Sequence, residues 1–275
     1  LVAASVVPRH KQASAVATMF MGLTIANVGG VPAATWLGQV IGWRMSFAAT
    51  AVLGLIAMLS LWFALPAGEA GRRPNVRHEL AVLKSPVVLL ALLTTVLGAG
   101  AMFTLYTYIA PTLADITGAS PAFITGMLVL IGLGFTLGNG LGGRMADRSL
   151  DGTLITFLVI VIIDLLAFPW IGQTSVGAAI SLLIFGVATF AVVPPLQMGV
   201  MRAATDAPGL ASSVNVGAFN LGNAVGAAAG GAVISAGLGY AAVPIAGAVI
   251  ATAGLALVLV QRAANQRRRL AVQGC

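Results

Sequence analysis

Apolar runs long enough to cross a membrane recur along this chain, near residues 13–41, 45–65, 86–110, 121–143, 153–172, 175–200, 211–236 and 241–261. A hydrocarbon core of ~30 Å needs about 20 apolar residues in helical form. Each run meets that length, and none shows the short apolar-polar alternation of a membrane strand barrel. Eight complete spanning helices are therefore expected. Composition excludes the water-soluble alternative, because 59% of the residues are hydrophobic, only 8% are charged and the mean hydropathy is +1.02. Turn and charge signals separate the runs, including Gly42-Trp43-Arg44, Gly118-Ala119-Ser120-Pro121, Asp147 to Gly152, Gly172-Gln173-Thr174 and Gly237 to Tyr240.

The net charge of +7 does not point to nucleic acid, since the basic residues lie between apolar runs with no interleaved aromatics. They report orientation instead. If the long polar break 67–85 is cytoplasmic, alternating the spans puts every Lys and Arg except Arg44 on the cytoplasmic side, as the positive-inside bias requires. Trp43, Tyr108, Trp170 and Tyr240 then fall near the outer ends of spans, as interfacial anchors. The expected division is 1–66, the end of a first bundle; 67–85, a cytoplasmic linker; 86–262, a second bundle of six helices; and 263–275, a cytoplasmic tail. The first seven residues read as the tail of an earlier helix, so about four further spans are expected upstream. The single cysteine, Cys275, supplies neither a disulfide framework nor a metal site.

An internal repeat supports two related halves. At an offset of 196, segment 13–41 falls on 209–237 and aligns Asn27 with Asn223 and Gly30 with Gly226. Parallel repeats with a binding site between them at mid-membrane are one plan on which transporters are built. Within the first repeat, Gly22, Gly29, Gly30 and Gly38 remove side chains where a neighbouring backbone can approach, and Pro32 bends the span. The alternative is ordinary small-residue helix contact.

Three stretches resemble the major facilitator superfamily. GLTIANVGGVPAATWLGQVIGWRMSF is similar to its fifth helix with the antiporter-type glycine-proline motif, although Val31-Pro32 stands where that motif carries Gly-Pro. GNGLGGRMADRS is similar to the second-half copy of its cytoplasmic helix-loop signature, and APGLASSVNVGAFNLGNAVGAAAGGAVISAGLGY to the eleventh helix of the drug:proton antiporter branch, especially arabinose-efflux-permease-like members. The resemblance implies an all-α polytopic membrane protein corresponding to helices five to twelve of twelve. It also implies proton-coupled efflux of a small molecule by alternating access, with a gate between the halves at Gly140, Gly143, Arg144, Asp147 and Arg148.

Polar groups at membrane depth are the candidate site, because an unpaired one is costly there. Asp164 is the acid set deepest in a span. It is expected to exchange a proton or recognise a cation, or else to bond a neighbouring helix. Asn27, Thr104, Tyr106, Gln197, Asn215, Asn220 and Asn223 are expected to line a cavity, with interhelical hydrogen bonds as the alternative. Gln197 follows Pro194-Pro195, which interrupt their helix. Asp147 is expected to pair with Arg144 or Arg148 in one state only. The sequence shows no metalloprotease, nucleophile-elbow or Walker A pattern, so no enzyme and no cofactor is expected. The expected partners are a small-molecule substrate, protons and the lipid bilayer, with the chain acting as a monomer. Alternatives are an uncoupled facilitator and a non-transporting membrane scaffold or sensor.

Overall fold

The computed structural model describes residues 8, 11–30, 33, 37–38, 40–64 and 81–273. Pro32 and the linker up to residue 80 lie outside the described residues, as does the side chain of Asn27. Among the described residues there is no strand. The helices are α1 (Gln12–Ile25), which continues as a wider π turn over Ala26–Gly30, α2 (Trp43–Ala64), α3 (Pro86–Tyr106), α4 (Ile109–Ile116), α5 (Pro121–Arg148), α6 (Leu150–Ile171), α7 (Ser175–Ala191), α8 (Val193–Ala203), α9 (Pro208–Ser235) and α10 (Ala242–Gln273).

The starts and stops follow from local chemistry. Ser85 and Ser120 accept hydrogen bonds from the backbone N–H of Val88 and Phe123, each with a proline opening the helix behind it. Ser149 and Thr174 cap α6 and α7 through the N–H groups of Gly152 and Gly177. The expected turns at Gly42 and Gly118 hold φ of +95° and +63°, where a side chain would be strained. The run 175–200 is two helices in line, α7 and α8, because Pro194 and Pro195 lie in the first turn after the junction at Val192.

Among the described residues six segments are long and apolar enough to span a membrane, with α7 and α8 counted together. Two expected spans stand outside that set. The first, 13–41, is described only in part. The other is α9, whose 28 residues have the length but are diluted by Ser, Asn and Gly. Helix α10 runs unbroken past the expected end of its span to Gln273. Side chains of α2 lie open, as lipid-facing residues do, with Phe47 70%, Trp62 80% and Phe63 83% exposed.

Glycine sets the helix spacing, at positions other than those the opening stretch suggests. A Cβ on Gly226 of α9 would sit 2.2 Å from the carbonyl oxygen of Gly100 in α3, and one on Gly222 2.5 Å from that of Val96. On α5, Gly138 and Gly142 would meet the carbonyls of Val187 and Ala191 at 2.1 and 2.2 Å. These are backbone-on-backbone seams, the means by which helices associate in lipid. Gly22, Gly29 and Gly30 meet nothing within 4 Å among the described residues, and Gly38 meets only the Ser46 hydroxyl at 3.2 Å. Among the described residues α1 packs on α5 through Ala13 and Ala17, and the close approach expected at these glycines has no described neighbour. Tyr108 is likewise packed rather than a free anchor. Its ring lies over Gly230 and its hydroxyl donates to the Ala227 carbonyl.

Gly226→Ala and Gly138→Ala should each lower the thermal midpoint of the purified protein, since forcing atoms into a filled contact typically costs ~1–3 kcal/mol. Gly217→Ala, where a Cβ meets open space, should leave it unchanged. Equal midpoints for all three would mean the seams are looser than the backbone distances require.

Candidate functional site

The seams hold apart a cavity of about 350 Å³ at the middle of the bundle. Helix α3 contributes Met102, Phe103 and Tyr106, α5 Phe135, the α7–α8 junction Phe190 and Val193, and α9 Val216, Phe219, Asn220 and Asn223. Four of its rings form a chain. Phe135 stacks on Phe190 at 4.0 Å between centroids, Tyr106 tilts against Phe135 at 5.6 Å, and Phe103 meets Tyr106 edge-on at 5.7 Å. No acidic or basic side chain is in the lining. The polar groups are the Tyr106 hydroxyl and two amides. Asn220 donates to the Val216 carbonyl at 2.9 Å, and the Asn223 side-chain oxygen has no described partner. An aromatic wall with a few polar handles is suited to a small organic molecule held by contact and oriented by one or two hydrogen bonds.

Of the expected cavity residues, Tyr106, Asn220 and Asn223 are in this lining and three others are not. Thr104 is buried in the α3–α9 seam, where its hydroxyl donates back to the Gly100 carbonyl at 2.7 Å. Gln197 and Asn215 bond to each other: the Asn215 amide donates to the Gln197 oxygen at 2.7 Å, and the Gln197 amide donates to Ser212 at 2.6 Å. That network ties α8 to α9. The Phe103, Phe135, Phe190 and Phe219 rings went unread, because an aromatic residue in an apolar helix looks the same whether it faces lipid, core or cavity.

Asp164 lines neither this cavity nor a second one at the end of the bundle. It is buried between α6 and α7, where one carboxyl oxygen accepts from the Ser181 hydroxyl at 2.7 Å and the other has no described partner.

At the end where α5 closes on α1, three residues at four-residue spacing make one face. Asp147 accepts hydrogen bonds from the N–H groups of Ala13 at 2.9 Å and Ser14 at 3.3 Å, and from the Ser14 hydroxyl. It caps the start of a helix more than a hundred residues away in sequence. Gly143, one turn back, admits Ala17, whose Cβ lies 2.6 Å from where its own would stand. Asn139, a further turn back and unread in the sequence, donates to the Ala17 carbonyl at 2.7 Å. Among the described residues no ion pair joins Asp147 to Arg144 or Arg148, and Gly140 meets nothing within 4 Å. In this structure the Asp147 carboxylate is engaged in a cap between helices, and the pairing within the loop, expected in one state only, is not formed.

The sequence profile described as Major Facilitator Superfamily matches residues 1–216. The chain belongs to that superfamily. It is 71% identical over 237 residues to the Inner membrane transport protein YdhP of Escherichia coli strain K12, a match covering 86% of this chain and 61% of YdhP. It is 33% identical over 237 residues to the uncharacterized MFS-type transporter YtbD of Bacillus subtilis, covering 84% of the chain and 60% of the relative. A chloramphenicol resistance protein of Streptomyces lividans is 36% identical over 228 residues, covering 82% and 58%. The chain thus spans about three fifths of the length of these facilitator-superfamily relatives.

In a Cys275→Ser background, Asn220→Cys should react with a water-soluble maleimide, since Asn220 is exposed on the cavity wall, whereas Thr104→Cys, sealed in its seam, should not. Similar rates at the two positions would remove the distinction between cavity and seam.

Proposed function

We propose that this protein works as a secondary transporter of the inner membrane that exports a small, largely apolar organic molecule by alternating access. The observation that carries the reading is a cavity at mid-bundle, walled by rings and amides, and it is supported by a polar contact between α1 and α5 that is suited to close one end. A transporter needs a site that one seal or the other can isolate. The uncharged lining favours neutral aromatic or amphipathic cargo, and the name of the Streptomyces lividans relative supports that class. Segment 1–66 is the end of the first half and 86–262 is the second, joined by the linker 67–85. The linker and the tail 263–275 are cytoplasmic on the positive-inside argument, which makes the α1–α5 contact the cytoplasmic seal.

That seal can be weighed. A side-chain cap is worth typically ~1 kcal/mol, so Asp147→Ala should shift the balance between states about fivefold toward opening at that end. Labelling of Asn220→Cys from the opposite side should slow accordingly, with cargo affinity unchanged in the accessible state. Identical labelling with and without the carboxylate would reduce Asp147 to a charge at the membrane edge.

Coupling in this half falls to Asp164, as a proton exchanger and not as a contact for cargo, because it stands apart from the cavity. Asp164→Asn keeps an acceptor for Ser181 while removing the exchangeable proton. The full-length protein carrying it should insert normally, lose concentrative efflux in everted vesicles and retain downhill exchange. Uphill transport with unaltered pH dependence would retire Asp164 as the coupling residue and leave it a contact between α6 and α7; a wild type that equilibrates its cargo but never concentrates it would favour an uncoupled facilitator, a reading also supported by the lack of any acid in the cavity lining.

A further inference from the structure

The two amides of the central cavity leave different ends open. Val216, Asn220 and Asn223 follow one another at helical spacing, which puts them on one face of α9, and all three line the cavity. Asn220 donates an N–H to the Val216 carbonyl one turn back, at 2.9 Å. That bond fixes the amide, with its nitrogen against the helix and its oxygen, which has no described donor, toward the cavity. Asn223 is set the other way. Its oxygen is buried in the wall without a described partner, which leaves the amide nitrogen as the end that can serve the cavity. Side chains three residues apart on a helix stand ~5–6 Å apart at Cβ, close enough for one small group to meet both. Tyr106 on α3 adds a hydroxyl that can turn to donate or accept, so it selects neither. Gln197 and Asn215 close on each other, whereas among the described residues Asn220 and Asn223 bond to no other helix.

We infer that the cavity selects cargo bearing a neutral carboxamide on an aromatic body, its N–H donating to the Asn220 oxygen and its carbonyl accepting from the Asn223 N–H. The inference rests on the reading of this cavity as the cargo site and adds which polar group the cargo carries. A group that only accepts leaves the Asn220 oxygen unmet, and one that only donates leaves the Asn223 N–H unmet. A carboxamide holds a donor and an acceptor side by side and meets both. A carboxylate or an ammonium finds no opposite charge in the lining and gives up its hydration for nothing. The linked rings from Phe103 to Phe190 take the aromatic body by stacking and edge contact.

The test measures by calorimetry how tightly the purified full-length protein binds naphthalene, 2-naphthamide, N,N-dimethyl-2-naphthamide and 2-naphthol. The carboxamide should bind about tenfold more tightly than its dimethyl form, which keeps the carbonyl and lacks the N–H. Asn220→Ala should erase that preference and leave the dimethyl form bound as before. Asn223→Ala should weaken both amides by a similar factor and leave the preference in place. Alanine suits a helix, and unchanged affinity for naphthalene checks that each variant keeps its fold and its ring wall. Asn220→Leu and Asn223→Leu should repeat the pattern with the lost volume restored. Equal wild-type affinity for the two amides, a preference that survives the loss of Asn220, or naphthol bound as tightly as naphthamide would overturn the carboxamide. Naphthalene would still bind in those cases, and the cargo site would stand. Binding of none of the four would remove the cargo site, and the carboxamide and the transport reading with it.

Discussion

Lipid tails are as apolar as leucine, so nothing in a bilayer presses two apolar helices together as water does. Association depends on how closely backbones can approach. That constraint accounts for the two tightest seams here. Gly222 and Gly226 bring α9 onto α3, and Gly134, Gly138 and Gly142 bring α5 onto α7, with no space for a methyl group at any of them. The large side chains of the core fill what those contacts leave, with Phe168, Phe185 and Leu165 fully enclosed. Overpacked seams would hold the helices apart and unfasten that core.

The central cavity is a consequence of the same spacing. Helices α3 and α9 touch along Gly100, Gly222 and Gly226, and α5 and α7 along Gly134 to Gly142, so side chains beside each seam are left facing the space between the pairs. The proline pair after Val192 breaks the α7–α8 rod at that level and sets Phe190 and Val193 on its wall. Rings take these positions. They cover a broad concave surface with few rotatable bonds, and the stacked pair Phe135 and Phe190 joins the adjacent helices α5 and α7 at the cavity wall.

Much of this was legible in the sequence, and the boundary of what was legible is physical. Six of the eight expected spans, the turn positions and the interrupted helix at Pro194 follow from hydropathy and local backbone chemistry, which a linear reading captures. Facing does not follow. Gly30 and Gly226 align in the repeat, yet Gly226 lies against Gly100 while Gly30 meets no described neighbour, because contact belongs to a pair of helices and the pattern only to one. Thr104, Gln197 and Asn215 had the chemistry of cavity residues and found partners nearer by. Asn139 had the same chemistry, inside a motif read for its glycines and charges, and joins two helices.

The seams also differ in what breaking them would expose. Parting α3 from α9 would lose many small dispersion contacts and leave grooves with no side chain to fill them, a loss that lipid chains replace poorly. Parting α1 from α5 at Asp147 frees two N–H groups, a hydroxyl and a carboxylate in a part-buried position at the helix ends, where water can take each of them. Solvent exchange is why even a hydrogen bond to a charged group contributes only ~1.5–3 kcal/mol net. Asn139 lies two turns deeper and its side-chain oxygen has no described partner, so the closed contact holds one half-satisfied amide as well as a cap. The glycine seams therefore behave as fixed walls, and the polar contact at α1 is the joint at which a small difference in binding energy can change the state.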